Sequence, residues 1–180
     1  MPLMQDCPLG HSHGTGPSAT MVFEDSDRPP PALRRHFTYR LNVLSRLNDL
    51  MSQELYLKGC GLSLPETRCV AAIGSFPESL TVNDVSFETN LDKAQVSRTV
   101  KTLVDRGLMS KRPSPVDGRC VQLTLTPPGQ TCYTKVMVLI AQRNLDLMQC
   151  LSEQEQELLV DMFDRMLERA RQQLATSRLA

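Results

Sequence analysis

Apolar residues recur every three or four positions over most of the chain after Pro31, which is the spacing of amphipathic helices. Turn and capping residues interrupt this pattern, so it divides into separate helical segments. The pattern predicts helices at residues 32–58, 63–75, 81–90, 92–106, 127–151 and 152–174. The chain is therefore predicted to be mainly α.

Capping residues mark where these helices begin. Asp92 is a good N-cap for the fourth segment, and Thr126 followed by proline is typical of the first turn of the fifth. Gly59 and Gly61 are expected to stop the first helix, and Gly107 the fourth. The remaining starts have a hydroxyl residue followed three positions later by a carboxylate, which is the capping-box spacing, at Ser63–Glu66, Thr81–Asp84 and Ser152–Glu155.

Two short runs after the fourth helix have the character of strands. They are Leu108–Arg112 and Cys120–Leu125, and in the second run Val121 and Leu123 alternate with polar residues. The loop between them, Pro113–Arg119, contains prolines, which cannot continue a ladder, and an Asp-Gly turn. Because the third and fourth segments form a helix-turn-helix, this hairpin completes a winged helix-turn-helix pattern.

Short motifs follow one another in a fixed order through this region. They are Val96-Ser97-Arg98, Leu103, Gly107-Leu108, Asp117-x-Arg119 and Leu125-Thr126-x-x-Gly129. Together they resemble the signature of the MarR family of bacterial and archaeal transcription regulators. The agreement covers Leu80–Gly129, and the flanking helical segments extend it from about Ala32 to near the C-terminus. The resemblance implies a homodimer that binds double-stranded DNA, and two-fold symmetry favours a pseudo-palindromic site.

The predicted elements divide the chain into four parts. Residues 1–31 hold six prolines and three glycines without an apolar period, so they are expected to form a disordered tail. Residues 32–62 are predicted to form an N-terminal dimerisation helix, residues 63–129 a winged helix-turn-helix DNA-binding lobe, and residues 130–180 the C-terminal dimerisation helices. The long helices have more apolar surface than a small winged-helix core can bury, which favours packing against a second copy.

The fourth helix and the hairpin provide the candidate DNA-binding residues. From Leu91 to Cys120 there are seven basic residues against three acidic ones, although the whole chain has a formal net charge of +0. Arg98 is suited to a bidentate contact with guanine, and Lys101 to phosphate. The predicted set is Gln95, Ser97, Arg98, Lys101, Thr102, Arg112, Asp117 and Arg119.

Two of these assignments have alternatives. The polar side of the fourth helix could be an ordinary solvated face. Arg119 could simply pair with Asp117 within the hairpin, although in the resembled family this arginine enters the minor groove while the aspartate orients it. Both roles of Arg119 are compatible with each other.

A ligand site is expected where the long helices meet the winged-helix lobe, because MarR-like proteins have their effector pocket there. His36, Tyr39 and Arg40 lie near the start of the first helix, and Arg68 lies among the apolar residues of the second. The two arginines favour a carboxylate, and the resemblance to MarR-type regulators leads us to expect a small aromatic carboxylate as the effector. Surface or dimer salt bridges are the alternative explanation of these residues.

The cysteines indicate reduced thiols rather than disulfides. The six cysteines show neither a C-x-x-C pair nor dense spacing, so a cytoplasmic protein is expected. Cys120, beside Arg119, could be a redox sensor if the positive charge favoured its thiolate. Cys69, Cys132 and Cys150 lie in helical segments, where such thiols are usually packing residues.

Several other classes of function are not supported by the sequence. Cys7, His11 and His13 lie on a flexible tail, which is a poor scaffold for a metal site, so neither a metal nor a cofactor is predicted. No signal peptide or membrane-spanning run is recognised. Paired carboxylates, a Ser/His/Asp arrangement and a Gly-rich phosphate loop are not found either, so no enzyme is predicted.

The leading hypothesis is a homodimeric, sequence-specific DNA-binding transcriptional regulator, a repressor released by a small anionic aromatic ligand. One alternative is a thiol-based, oxidant-sensing regulator with the same fold. Another is a winged-helix protein-interaction module without DNA binding, in which the basic face of the fourth helix and Arg119 would be missing.

Overall fold

The computed structural model describes residues 32–113 and 121–177, which form ten elements of secondary structure. A 3-10 helix spans Ala32–Arg35. The α-helices are α1 (Phe37–Cys60), α2 (Leu64–Ser75), α3 (Val82–Thr89), α4 (Lys93–Asp105), α5 (Pro127–Met148) and α6 (Glu153–Ser177). The strands are β1 (Leu80–Thr81), β2 (Met109–Pro113) and β3 (Val121–Leu125). The predicted fold class, mainly α with a small β wing, is confirmed.

The chain divides into two compact units, Met1–Asn42 and Val43–Ala180. Within the described part of the first unit, Arg40 Nε donates a hydrogen bond of 3.0 Å to the Arg34 carbonyl. The second unit contains the remaining helices and the sheet, and it has its own hydrophobic core.

The first long helix differs from its prediction at both ends. The chain forms a 3-10 turn before α1 begins at Phe37, and the helix continues through Gly59 to Cys60. The next residue, Gly61, has φ +68° and lies outside the helix. The prediction that Gly59 stops this helix was therefore wrong. A single glycine lowers helix stability only modestly, so it can lie in the last turn when the other residues favour the helical conformation.

The strands form an antiparallel sheet in the order β1-β3-β2. The hairpin of β2 and β3 was predicted, whereas β1, which pairs Leu80 with Leu123, was not, because a two-residue strand has no recognisable period. Pro113 was assigned to the loop but pairs with Val121 as the last residue of β2. This is possible because β2 is an outer strand, where a proline without an N–H can be accommodated.

The core of the second unit surrounds α2, which contacts α3, α4, α5 and β3. The predicted apolar stripe of α4 is confirmed, because Val96, Val100 and Leu103 are fully buried and Val104 packs against the core. Completely buried residues from the other elements include Leu62, Val70, Val85, Leu123 and Val136. The core therefore joins the helix-turn-helix to the sheet and to the first half of α5.

Most apolar residues of α6 remain exposed in the described part of the chain. None of its residues is buried, and Leu158, Met162 and Met166 are 55%, 37% and 39% exposed. Although these helices are long, no helix in the described segments combines the length and apolar character needed to cross a membrane.

Candidate nucleic-acid interface and adjoining pocket

The start of α4 is fixed by a side-chain cap. Asp92 Oδ1 accepts a hydrogen bond of 2.7 Å from the backbone N–H of Gln95, which satisfies one of the free N–H groups of the first turn. At the other end, Gly107 has φ +69°, a left-handed conformation that allows the chain to leave the helix. Both predicted boundary signals of α4 are confirmed.

The turn between α3 and α4 is held by short polar contacts. Thr81 and Asp84 form the predicted capping box at the start of α3, with the Asp84 carboxylate accepting hydrogen bonds from the Thr81 N–H and hydroxyl. After α3, Asn90 adopts a left-handed conformation with φ 54°. Ser86 Oγ then donates a hydrogen bond of 2.6 Å to the Leu91 carbonyl, so the direction in which the chain enters α4 is fixed.

The polar side of α4 lies opposite its buried stripe. Ser97, Arg98, Lys101 and Thr102 are exposed, whereas Gln95 is half-buried. Neither Arg98 nor Lys101 forms an ion pair with any residue that the structure describes. Their cationic groups are therefore available to an external anion such as a phosphate.

The sheet carries two further exposed basic residues. Lys111 and Arg112 lie on β2, where they pair with Leu123 and Gln122 of β3, and both are exposed. The remaining predicted wing residues, Asp117 and Arg119, lie outside the described residues.

Arg106 is a basic residue of this region with a different role. Its Nη1 lies 2.7 Å from Glu66 Oε1, and its Nη2 donates a hydrogen bond of 3.0 Å to the Gly61 carbonyl. It was counted in the local positive charge, but it neutralises a carboxylate of its own chain. The number of basic residues therefore overstates the charge that this surface offers to DNA.

Glu66 is stabilised as a carboxylate by its neighbours. Burial by itself would raise its pKa, but hydrogen bonds from the Ser63 N–H, the Ser63 hydroxyl and Arg106 outweigh burial and lower the pKa below its ordinary value. Both bonds from Ser63 are 2.8 Å long and belong to the capping box predicted for α2. One carboxylate thus caps α2 and binds Arg106.

A pocket of about 530 Å³ lies beside the helix-turn-helix. Its walls come from α1, α2, α5 and the end of α3, and they combine apolar side chains with many hydroxyl and amide groups. Thr89 and Asn90 of the turn before α4 belong to the lining, so a ligand here would touch that turn directly. Other lining residues are Ser45, Asn48, Asp49, Ser52, Tyr56, Thr67, Arg68, Ala72, Phe76, Glu88, Met137 and Ile140.

Arg68 lines this pocket, but its charge is already compensated. Its Nη2 lies 2.5 Å from Asp49 Oδ1, and the two side chains are 29% and 31% exposed. Arg68 lies among the apolar residues of α2 as expected, but its guanidinium faces a carboxylate of the same chain. With Glu88 as the other charged residue of the lining, the pocket has one positive and two negative groups.

The pocket also contains a buried hydroxyl that lacks a partner. Ser52 is 1% exposed, and its Oγ forms no hydrogen bond with any residue in the described segments. A buried polar atom of this kind is uncommon, because desolvation without a hydrogen bond is unfavourable. Ser52 Oγ therefore marks a position where a polar atom of a ligand can be received.

The other predicted ligand residues belong to the first unit. His36 lies directly before α1, and Tyr39 and Arg40 lie in its first turns. Whether they join Arg68 in one site stays a prediction. Sequence reasoning missed Asp49 and Ser52, although Ser45, Asp49, Ser52 and Tyr56 recur at helical spacing as a polar stripe on α1.

Three of the four thiols that the structure describes are poor candidates for redox sensing. Burial raises the pKa of Cys69 to about 12, and burial is also the main cause of the raised pKa values of Cys60 and Cys132. A raised pKa disfavours the reactive thiolate. Cys150 is exposed, whereas Cys120, the predicted candidate, lies outside the described residues.

Within the described segments, no three His, Cys, Asp or Glu residues are grouped as a metal site would require. The tail residues Cys7, His11 and His13, which were considered as weak metal ligands, lie outside those segments.

Comparison with known proteins agrees with this geometry. The family model described as the MarR family matches residues 61–119, from the end of α1 to the wing. No curated protein matches the chain at the level of sequence.

Solved structures of MarR-type regulators are similar over most of the chain. A MarR/EmrR family transcriptional regulator from Acinetobacter sp. ADP1 is 27% identical, with TM-score 0.69, over 79% of this chain and 99% of that one. PcaV from Streptomyces coelicolor, solved with its natural ligand, is 24% identical, with TM-score 0.61 and the same coverages of 79% and 99%. Bordetella bronchiseptica BpsR, whose DNA binding is regulated by 6-hydroxynicotinic acid, is 21% identical, with TM-score 0.59, over 71% of this chain and 98% of that one.

Residues 61–119 therefore match the MarR family, and the chain has the fold of a MarR-family transcription regulator.

Proposed function

We propose that the protein is a homodimeric, sequence-specific DNA-binding repressor, released from its operator when a small anionic aromatic ligand binds the pocket beside the helix-turn-helix. Residues 63–129 form the DNA-binding lobe, and residues 32–62 and 130–180 form the dimerisation region. MarR-family proteins are transcription regulators rather than enzymes, and no catalytic activity is proposed.

The observation that carries the proposal is that α4 has one buried apolar side and one exposed basic side. Its apolar side is buried, its start is capped by Asp92, and its opposite side exposes Arg98 and Lys101 without ion-pair partners in the described chain. A helix held in this way can place its side chains against base edges and phosphates in a major groove. Lys111 and Arg112 of β2 are exposed as well and add positive charge to the winged-helix lobe.

The predicted DNA-binding residues have different roles in this proposal. Arg98 and Gln95 read base edges, while Ser97, Lys101, Thr102 and Arg112 bind the phosphate backbone. The Asp117–Arg119 pair of the wing is proposed to act in the adjacent minor groove. This last role rests on the family motif alone.

The proposed homodimer is supported by the exposed apolar surface of the long helices. Leu47 and Met51 on α1 are 51% and 60% exposed, and most of the stripe on α6 is exposed, including Met166 and Leu174. Apolar area of this extent is usually covered by a partner, and in most homo-oligomers the partner is a second copy related by two-fold symmetry.

The proposed effector is supported by the pocket and by the related structures. The pocket touches α1, α2, α5 and the turn before α4, so its occupancy can change the position of α4 relative to the long helices. BpsR responds to an aromatic carboxylic acid, and PcaV was solved with its natural ligand. A carboxylate can bind Arg68 here only by competing with Asp49.

Footprinting on genomic operator fragments tests the DNA-binding part of the proposal. Two protected half-sites about one helical turn apart are expected, because the two-fold axis places the two α4 helices in successive major grooves. Protection of a single half-site would contradict the symmetric complex. No binding to any genomic fragment would favour the interaction-module alternative.

A ligand panel tests the switch. Operator affinity is measured by fluorescence anisotropy with hydroxylated benzoates and pyridine carboxylates, with and without reductant. At least one carboxylate is expected to lower the affinity, with a coupling free energy of ~1–3 kcal/mol. Release by peroxide alone, abolished by Cys120→Ser, would instead favour the thiol-based regulator.

A further inference from the structure

Arg143 is a buried cation without an anionic partner in the described chain. It lies on α5, is 8% exposed, and forms no ion pair with any described carboxylate. Its Nε is buried and has no hydrogen-bond partner among those residues, while its Nη2 lies 3.1 Å from Met51 Sδ. A thioether sulfur is only a weak acceptor, so neither Nε nor Nη2 has a strong hydrogen-bond acceptor among the described residues.

The described residues leave the buried charge of Arg143 without the partner that such a charge normally has. The guanidinium of arginine keeps its charge in proteins, so it cannot relieve burial by losing a proton. A buried charge is normally paired and hydrogen-bonded, because removing it from water is costly. The acceptor for Arg143 must therefore come from outside the contacts that the described residues provide.

The surroundings of Arg143 show which kind of partner would supply it. Leu44 and Leu47 precede Met51 on the same side of α1, and all three are between 45% and 60% exposed. An apolar surface next to an unpaired buried cation requires a partner with an apolar face and a carboxylate at its edge.

Helix α6 of this chain has both of these features. Its exposed apolar residues include Leu158 and Met162, which follow Glu155 by three and seven positions, so Glu155 lies on the same face. No basic residue occurs in α6 before Arg165, whereas the first half of the helix has several acidic residues. A second copy of α6 is thus complementary to the Arg143 region in both polarity and charge.

The Glu155 carboxylate is also fixed in a position where it can accept a further hydrogen bond. Its Oε2 accepts hydrogen bonds of 2.8 Å from both the N–H and the hydroxyl of Ser152, which fixes the carboxylate at the start of the helix. Its Oε1 has no hydrogen bond with the residues described. The bonds from the Ser152 N–H and hydroxyl lower the pKa of Glu155, so the carboxylate stays ionised at neutral pH.

We propose that in the homodimer the partner subunit's Glu155 supplies the missing acceptor to Arg143, so that the two-fold axis generates two equivalent ion pairs between α5 of one copy and α6 of the other. This inference rests on the proposed homodimer, but it concerns the residues that hold the dimer together. Arg143 then has an anionic acceptor only in the assembled protein.

A double-mutant cycle on the full chain tests the pairing. The dimer dissociation constant is measured by analytical ultracentrifugation for the wild type, Arg143→Met, Glu155→Gln and the double variant. Each single substitution is expected to raise the constant at least about tenfold, and the double variant little further, because either change removes the same pair. Glutamine can still form a capping box, so Glu155→Gln preserves the start of α6.

Glu157→Gln is the matched control. It lies on the same helix but away from the apolar stripe, so the dissociation constant should remain at the wild-type value. Glu155→Lys should dissociate the dimer by repelling Arg143, whereas Glu157→Lys should not. These two variants still decide the question if Arg143→Met does not fold, which far-ultraviolet circular dichroism would reveal.

Three results would overturn the pairing. One is an unchanged or tighter dimer for Arg143→Met, which would mean that the charge is isolated. Another is additive effects of the two single substitutions, and the third is equal effects of the Glu155 and Glu157 variants. A wild-type chain that stays monomeric at all concentrations would instead refute the homodimer itself.

Discussion

Arg106 Nη1 binds Glu66 Oε1 at 2.7 Å, and this ion pair joins the end of α4 to the first turn of α2. The Glu66 side chain is 11% exposed and the Arg106 side chain 39% exposed, so the carboxylate is shielded from solvent and the guanidinium is not. Because α4 is the proposed DNA-reading helix, the pair fixes its tilt relative to the body of the lobe.

Arg106→Met should therefore reduce stability while leaving the exposed face of α4 intact. The free energy of unfolding should fall by about 1 kcal/mol, a modest value because solvent screens the exposed guanidinium. Urea unfolding followed by circular dichroism measures this loss. Lys101→Met, which removes a charge without a described ion pair, should change stability by less than ~0.5 kcal/mol. Equal effects of the two variants would argue against a structural role for Arg106.

The lowered pKa of Glu66 predicts a pH dependence of stability. A carboxylate whose folded pKa lies below its ordinary value of 4.5 contributes stability above that value, and the contribution is lost as pH falls through the folded pKa. Urea unfolding between pH 7 and pH 3 should therefore show a loss on acidification that is smaller in Glu66→Gln. Identical slopes for wild type and variant would show that Glu66 is not responsible.

Arg98 and Lys101 should differ in what they contribute to DNA binding. Arg98→Ala is expected to cost ~1–3 kcal/mol and to relax the preference at one base pair, because it removes a contact to a base edge. Lys101→Ala should weaken binding to all sequences and reduce the salt slope by ~1, because it removes a phosphate contact. Fluorescence anisotropy on operator and scrambled duplexes at several salt concentrations separates the two. Indistinguishable profiles would reject these assignments.

Gly129→Ala should destabilise the junction between the wing and α5. A Cβ at this position would lie 1.9 Å from the Leu108 carbonyl oxygen, and a backbone atom cannot move away as a side chain can. The free energy of unfolding should fall by about 1–3 kcal/mol, the usual range for overpacking. Gln130→Ala, at an exposed neighbouring position, is the control and should be nearly neutral. A wild-type melting temperature for Gly129→Ala would contradict the close approach.

Asp49→Asn should increase the affinity of the pocket for carboxylates. The substitution removes the residue that occupies Arg68, so a benzoate should bind about tenfold more tightly, while the matching benzamide should bind as it does to wild type. Isothermal titration calorimetry measures both ligands. Glu88→Gln is the control for a general change in pocket charge. Weaker binding of benzoate to Asp49→Asn would show that the anion binds elsewhere.

Local signals in the sequence predicted the helices and most of their boundaries. The caps at Ser63, Thr81, Asp92 and Thr126 were identified because a helix start depends on residues within one turn of it. The apolar stripe on α4 was predicted for the same reason, because the spacing of its apolar residues is a local property of the sequence.

Features that depend on distant residues were not predictable in this way. The pair of Arg106 with Glu66 joins residues 40 positions apart, and that of Arg68 with Asp49 joins residues 19 positions apart. Local charge counting included Arg106 in the positive charge of this region because such a count does not consider distant partners. Strand β1 was missed because it exists only through its pairing with β3.

Thr81 belongs to two elements at once, because it pairs with Gln122 as the last residue of β1 and caps α3 with its side chain. The wing strand β3 is consequently bonded to the segment that leads directly into the helix-turn-helix. In the proposed complex this keeps a constant distance between the element in the major groove and the wing in the neighbouring minor groove. DNA sequences whose minor groove is too wide or wrongly positioned would then bind less well, even if they carry the correct bases in the major groove. Part of the operator preference would therefore come from DNA shape.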